Sequence, residues 1–340
     1  MSCQVHRLAN ALVKRGENVT CLSFSPRPGD ALYGHLQMRQ CTGPRIWKKF
    51  CPAITFRTQD TSPYDILHYH GDDYLCAGGP RRIRTFYGSA FYEARFAVKW
   101  PRFLYQALFY VFELVSCLRR GEKTGISRAT TRPLIGVTSV IPCGVPLDVF
   151  KPGGLKSPDP ALLFIGDLDS RKRGRFLVDL FLRRILPAFP RAALTIVGPQ
   201  GFVAPGVVYA GKLDEEALVK EYRKAWVYCS VSSYEGFGVP IVEAMACATA
   251  VAATRNAGSM EIITHGHDGM LCGDGELPST IARLLSDAGL RDTLAYNGLQ
   301  TVKKYDIRAV ANQYMDRYAR RARMSMRGAG MAGDTRVYEK

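Results

Sequence analysis

Between residues 161 and 231 short apolar runs alternate with helical segments, and this alternation constrains the fold more than any other feature of the sequence. Ala161 to Gly166 reads as a strand, Phe176 to Leu186 as a helix stopped by Pro187, and Ala193 to Val197 as a strand closed by Gly198-Pro199. Leu213 to Arg223 follows as a helix with Asp214 as its cap, then Val227 to Val231 as another strand. Successive β-α-β units require a parallel sheet with helices on both faces. A chain of 340 residues has room for two such domains, each with its own core.

The first half is less regular. Val5, Leu8, Ala9, Leu12 and Val13 recur at helical spacing and Arg15-Gly16 supplies the stop; strands are expected over 18–24 and 66–69, and a long helix over 101–118. A nucleotide-binding α/β domain opens with a strand and a Gly-rich turn before its first helix. This sequence opens on the helix, so the first domain is expected to be N-terminally incomplete. Pro and Gly crowd the stretch from Ile141 to Gly154, which marks a linker. The resulting division is residues 1–145 as one Rossmann-like domain, 146–156 as linker and 157–302 as a second Rossmann-like domain. Residues 303–320 are expected to form a helix crossing back to the first domain, and 321–340 a basic, disordered tail.

A hydrophobic content of 47% and a charged content of 22% fit a soluble globular protein. The longest apolar stretch, Phe103 to Leu118, is broken by Gln106 and Glu113 and flanked by Arg102, Arg119 and Arg120, which fits a buried or half-buried helix better than a membrane-surface one. Residues 1–16 have no apolar secretory core, so a cytoplasmic location is expected, with peripheral contact at the inner membrane face. Ten scattered cysteines without C-x-x-C spacing read as reduced core thiols. The net charge of +16 is concentrated in residues 1–151, where 21 Lys/Arg face 10 Asp/Glu, so an anionic partner is expected there. No nucleic-acid recognition motif accompanies that charge, and nucleic acid is not an expected partner.

The segment after Val231 carries the chemistry. In Tyr234-Glu235-Gly236-Phe237-Gly238-Val239-Pro240-Ile241-Val242-Glu243-Ala244-Met245-Ala246, Pro240 suits a first helical turn, and the glycines before it let backbone approach a ligand. The free N–H groups of such a turn form an anion site that a diphosphate would fit. Glu235 in the loop and Glu243 about one turn into the helix flank it, and carboxylates accept hydrogen bonds from sugar and ribose hydroxyls. The plain alternative is that Glu243 only favours the helix dipole and Glu235 is a solvated loop residue.

Glu-x7-Glu with EGFG-P-x-x-EAMA inside it resembles the donor signature of glycosyltransferase family 4, and the resemblance runs from Val5 to about Tyr318. It implies the GT-B fold, two Rossmann-like domains facing each other across a cleft. Phe164-Ile165-Gly166-Asp167-Leu168 to Ser170-Arg171-Lys172-Arg173-Gly174 is similar to the family's strand and basic loop, whose Arg/Lys pair neutralises the donor diphosphate; Asp167 stands where the family often has Arg. Val251 to Glu261 resembles the segment that packs near the donor base. On the acceptor side, Leu8 to Gly16 resembles the first helix and Asp65-Ile66-Leu67-His68-Tyr69-His70-Gly71 a strand end. Tyr87 stands where Thr-x-His-Gly places a His near the reacting sugar, and Gly125-Ile126-Ser127-Arg128 matches a further strand end. Cys143 replaces Asn in the V-I-P-N-G-V linker. His68-x-His70 with Asp72 also has metal-ligand character, but the resemblance implies a diphosphate held by backbone and basic groups.

The resemblance implies a retaining transfer of a hexose from a UDP- or GDP-sugar to an acceptor hydroxyl, without metal or other cofactor. Glu235, Lys172 and Arg173 are the expected catalytic residues, and Arg171, Gly236, Phe237, Gly238, Val239 and Glu243 the donor-binding ones. His70, Tyr87 and Arg128 are the acceptor-side candidates. An anionic or lipid-linked glycan would suit the basic first domain as acceptor. The alternative is a nucleotide-sugar-binding protein with weak or no catalysis, motivated by Tyr87 and the missing first strand.

Overall fold

The structure, a computed structural model, describes residues 3–39, 42–43, 47–97 and 100–332. The chain divides into two compact units. One comprises Met1–Phe91, Tyr105–Gly144 and Ile307–Lys340, the other Tyr92–Leu104 and Val145–Asp306.

The first unit begins with α1 (Cys3–Val13), ended by Gly16 at φ +91°, where a side chain would be strained. β1 (Thr20–Ser23) and β2 (Gly34–Gln37) pair in parallel as a small sheet, and α2 (Trp47–Arg57) follows. β3 (Leu67–Tyr69), β4 (Arg82–Phe86), β5 (Glu122–Gly125) and β6 (Ser139–Val140) form a separate parallel sheet in sequential order. Between β4 and β5 in sequence lie α3 (Ala90–Arg95) and α4 (Trp100–Leu118), of which Tyr92–Leu104 belongs to the second unit, and α5 (Arg128–Thr131) follows β5. In α4 only Ser116 and Cys117 are buried, while Trp100, Leu104, Leu108, Val111 and Leu118 are exposed. Spaced by about one helical turn, they make an apolar stripe where the sequence reads as a half-buried helix.

The second unit follows the expected alternation. β7 (Ala161–Ile165) leads to α6 (Gly174–Leu180), whose last turn widens over Phe181–Ile185. β8 (Ala193–Val197), β9 (Val207–Gly211), α7 (Glu215–Lys224), β10 (Val227–Ser230), α8 (Val239–Ala246) and β11 (Ala250–Thr254) come next. α9 (Ala257–Ile262), β12 (Met270–Cys272), α10 (Leu277–Ser286) and α11 (Ala288–Thr301) complete the unit. Asp214 caps α7 as its sequence position predicts, its carboxylate accepting from the Ala217 N–H at 2.8 Å. The six strands run parallel in the order β12-β11-β10-β7-β8-β9. β10 and β11 are buried along their whole length, which is why they read as unbroken apolar runs instead of alternating ones.

The last helix, α12 (Ile307–Ala332), belongs to the first unit. Val310, Ala311 and Tyr314 pack with Leu8, Ala11, Leu12 and Ile141. This helix continues beyond Arg320, so residues 321–332, assigned by the sequence reading to a disordered tail, are helical; 333–340 lie outside the described residues. Among the described residues eight cysteines are free thiols, as expected, but Cys51 is in a disulfide, which corrects the reading of all ten as reduced; Cys41 lies outside the described residues.

Candidate donor site in the second unit

The strand order of the second unit reverses direction between β7 and β10, because β7 leads outward to β8 and β9 while β10 leads the other way to β11 and β12. Ligands of open parallel sheets bind beyond the carboxyl ends of the strands at such a switch point. The loop after β7 holds Arg171, Lys172 and Arg173, and the loop after β10 holds Tyr234 to Gly238. Topology therefore brings together the two segments that sequence had singled out separately.

Glu235 is 6% exposed. Its Oε1 accepts from Lys172 Nζ at 2.6 Å and from Ser232 Oγ at 2.6 Å, and its Oε2 from Arg171 Nη1 at 3.0 Å. Burial opposes its charge, but Lys172 and Arg171 outweigh burial and hold the carboxyl below its usual range. Arg171 also donates to the Tyr234 carbonyl at 2.7 Å, which ties the basic loop to the carboxylate loop. Burial works against Arg171 too, and Glu235 and Glu93 more than offset it, so its guanidinium is held more firmly protonated than usual.

Arg173 lies elsewhere. It takes a left-handed conformation at φ +60°, which turns its side chain onto Asp274 in a two-pronged pair at 3.1 and 2.6 Å and over the Phe176 ring. Of the three basic residues, Arg171 and Lys172 meet Glu235, while Arg173 meets Asp274.

α8 starts at Gly238, whose φ of +112° suits glycine, and Pro240 sits in its first turn. The positive end of the helix thus lies immediately after Glu235. Glu243, one turn in, is 5% exposed, and Tyr222 Oη lies 3.0 Å from its Oε2 and 3.2 Å from the Pro240 carbonyl. One hydroxyl proton serves one of these acceptors at a time. Burial and the Glu243 charge push the Tyr222 hydroxyl well above its usual range, so it remains a donor. Phe237 is buried against Tyr305 with ring centroids 5.3 Å apart; its side chain supports the loop, and Gly236, Gly238 and Val239 offer backbone.

The segment after β11 buttresses the site. Asn256 caps α9 reciprocally with Ser259 and donates to the Ser232 carbonyl at 3.1 Å, and Thr254 donates to the same carbonyl at 3.0 Å. A Cβ on Gly258 would stand 2.4 Å from the Phe237 carbonyl and 2.8 Å from Glu235 Cβ, so only glycine allows this approach. Ser232, Tyr222 and Gly258 were not singled out by sequence; a Ser three residues before the first Glu was the one available signal.

In the first unit His70 Nδ1 lies 3.1 Å from Tyr87 Oη, so two acceptor-side candidates meet. Burial first, then Arg84, pushes the His70 imidazole down to about 3. The His68 ring lies 4.0 Å from the His70 ring, and its nitrogens contact Tyr318 Oη at 2.7 Å and Thr85 Oγ1 at 2.8 Å. Both imidazoles are thus engaged in hydroxyl networks, and no metal-binding cluster occurs among the described residues. Arg128 is exposed at the start of α5, which Ser127 caps.

Residues 159–287 match the family described as glycosyl transferases group 1. The chain is 28% identical over 199 residues to a phosphatidyl-myo-inositol mannosyltransferase of Mycobacterium tuberculosis, covering 52% of this chain and 53% of that protein. It is 29% identical over 220 residues to a D-inositol 3-phosphate glycosyltransferase of Acidothermus cellulolyticus, covering 54% and 48%. The chain therefore spans about half the length of the curated relatives it matches. Sucrose-phosphate synthase from Thermosynechococcus elongatus superposes with a TM-score of 0.74 at 21% identity, covering 93% of this chain and 92% of that one. Anabaena HepE, solved with UDP and glucose, superposes at 0.71 and 15% identity, covering 93% and 95%. These likenesses show the fold, and it is GT-B. The matched group 1 segment contains the basic loop, Glu235, the start of α8 and Glu243.

Proposed function

We propose that the protein is a retaining glycosyltransferase that moves a hexose from a UDP- or GDP-sugar to an acceptor hydroxyl. The carrying observation is Glu235 held between Lys172 and Arg171 beside the start of α8, at the switch point of the sheet. The diphosphate leaves with at least two negative charges, so its departure is helped by fixed positive potential. Lys172, Arg171 and the α8 N-terminus supply it. Glu235 orients the sugar and Glu243 the ribose. The acceptor oxygen forms the new bond to the anomeric carbon as the bond to the β-phosphate oxygen breaks, and the acceptor proton passes to the departing phosphate on the same face. A divalent ion is not required in this scheme, because the helix terminus and two cations occupy its electrostatic role.

The names of the relatives support the transferase reading, and UDP in the HepE crystals supports a nucleotide-sugar donor. The deciding experiment is transfer and donor hydrolysis with UDP- and GDP-sugars, with saturation-transfer NMR across a nucleotide-sugar panel. Turnover that survives EDTA is expected. Binding without turnover would favour a nucleotide-sugar-binding protein, and loss on chelation with rescue by Mg²⁺ would refute metal independence.

An anionic or lipid-linked acceptor at a membrane surface fits the basic first half and the apolar stripe of α4. No helix among the described residues is long and apolar enough to cross a membrane. Co-sedimentation with anionic but not neutral vesicles is expected, reduced by Leu104→Glu and Leu108→Glu; equal sedimentation of that variant would refute the contact.

A further inference from the structure

The segment Tyr92–Leu104 belongs to the second compact unit although stretches of the first precede and follow it in sequence. It covers the donor loop in two ways. The Tyr92 ring lies 5.3 Å from the Tyr234 ring at 29°, and the Phe96 ring 5.7 Å from it at 8°; Tyr234 is 2% exposed. Beside this stack Glu93 Oε1 lies 3.0 Å from Arg171 Nε, while Arg102 donates to Glu93 Oε2 at 3.0 Å.

Arg171 therefore faces two carboxylates, Glu235 and Glu93. They differ in origin. Glu235 is fixed in the loop with Lys172 and Ser232 as further partners, whereas Glu93 lies on α3 beside the Tyr92 and Phe96 rings and pairs with the exposed Arg102. A donor diphosphate binding to Lys172 and the α8 N-terminus would bring its own oxygens towards Arg171. Two anions there share one guanidinium and repel each other.

Resting on the donor-site reading above, we propose that Glu93 is a built-in competitor for Arg171: its carboxylate takes the position of a phosphate oxygen, and Glu93 must yield Arg171 when a nucleoside diphosphate sugar binds. The stack on Tyr234 sets how readily Glu93 lets go. Donor affinity is thus tuned by residues distant in sequence from both donor motifs.

Isothermal titration of UDP, GDP and inorganic pyrophosphate into the full chain tests this. Glu93→Gln should bind a diphosphate about two- to fivefold more tightly than wild type, the size expected for releasing one partly exposed ion pair, and Arg171→Gln should abolish that gain in the double variant. Phe96→Ala, which loosens the segment without altering charge, should shift affinity in the same direction. Equal or weaker binding by Glu93→Gln, alongside weakened binding by Arg171→Gln, overturns the competition and leaves the donor site standing. An unchanged or lower affinity in Phe96→Ala overturns the role of the stack. If Arg171→Gln binds as wild type does, both the donor-site reading and the competition fail.

Discussion

Glu235 and Glu243 flank the same helix start but meet different partners, and their substitutions should be read differently. Glu243 accepts from the Tyr222 hydroxyl deep in the unit, so truncating it to Ala would leave that hydroxyl only the longer contact to the Pro240 carbonyl, open a cavity, and mix stability with binding. Glu243→Gln keeps an acceptor for Tyr222 and removes only the charge. It should weaken nucleotide binding by about 1–3 kcal/mol, with little change in melting temperature. Unchanged nucleotide affinity by calorimetry would remove Glu243 from the site. A second prediction concerns acid. The Glu235 carboxyl is held below its ordinary range, so its contribution is present above its unfolded value of about 4.3 and is lost as pH falls through the folded value. His70 acts at higher pH. Its folded imidazole stays neutral to about 3, whereas the unfolded one takes a proton near about 6.5, so acidification across that window favours unfolding. His70→Gln retains a partner for Tyr87 and should reduce the loss of stability between about pH 6.5 and 4 in urea titrations, with burial of the neighbouring His68 keeping part of the slope. The same slope in both proteins would show that His70 is not the titrating group.

At the scale of elements, the second unit was legible because its fully buried parallel strands and its Gly238-Pro240 helix start are local signals. The first unit was less so. Its strands are short, and their partners lie far apart in sequence, as with β4 and β5 across the whole of α3 and α4. The candidate donor site divides the same way. Glu235, Lys172 and Glu243 could be nominated from spacing, but the turn of Arg173 onto Asp274 depends on one backbone dihedral, and the arrival of Glu93 on Arg171 depends on tertiary packing. Gly258 shows how an element without chemistry shapes the site. Adding a Cβ there would push α9 against the Phe237 carbonyl and Glu235. Gly258→Ala is expected to destabilise by about 1–3 kcal/mol through overpacking and to lower turnover more than Ala substitutions elsewhere on α9. Wild-type melting temperature and turnover would show that the loop can shift without cost.

For the molecule as a whole, α12 offers a way to test stability separately from the proposed donor binding. It closes the first unit by packing Val310 and Tyr314 against α1 and Ile141, with Thr85 Oγ1 3.0 Å from Tyr314 Oη and Arg317 paired to Glu122 at 2.8 Å. None of these residues belongs to the second unit, which carries Glu235, Lys172, Arg171 and Glu243. Val310 is 2% exposed, and burying a carboxylate there without a partner costs several kcal/mol. Val310→Asp should therefore lower the melting temperature of the first unit and split a single thermal transition into two. Because the proposed donor contacts lie in the other unit, affinity for UDP or GDP should stay within about twofold of wild type at temperatures below the first transition. Transfer to an acceptor should fall sharply, since His70 and Tyr87 sit in the unit that α12 closes. A variant that loses nucleotide affinity together with its first transition would show that the donor site depends on the first unit, and that the assignment of donor binding to residues 145–306 is too narrow.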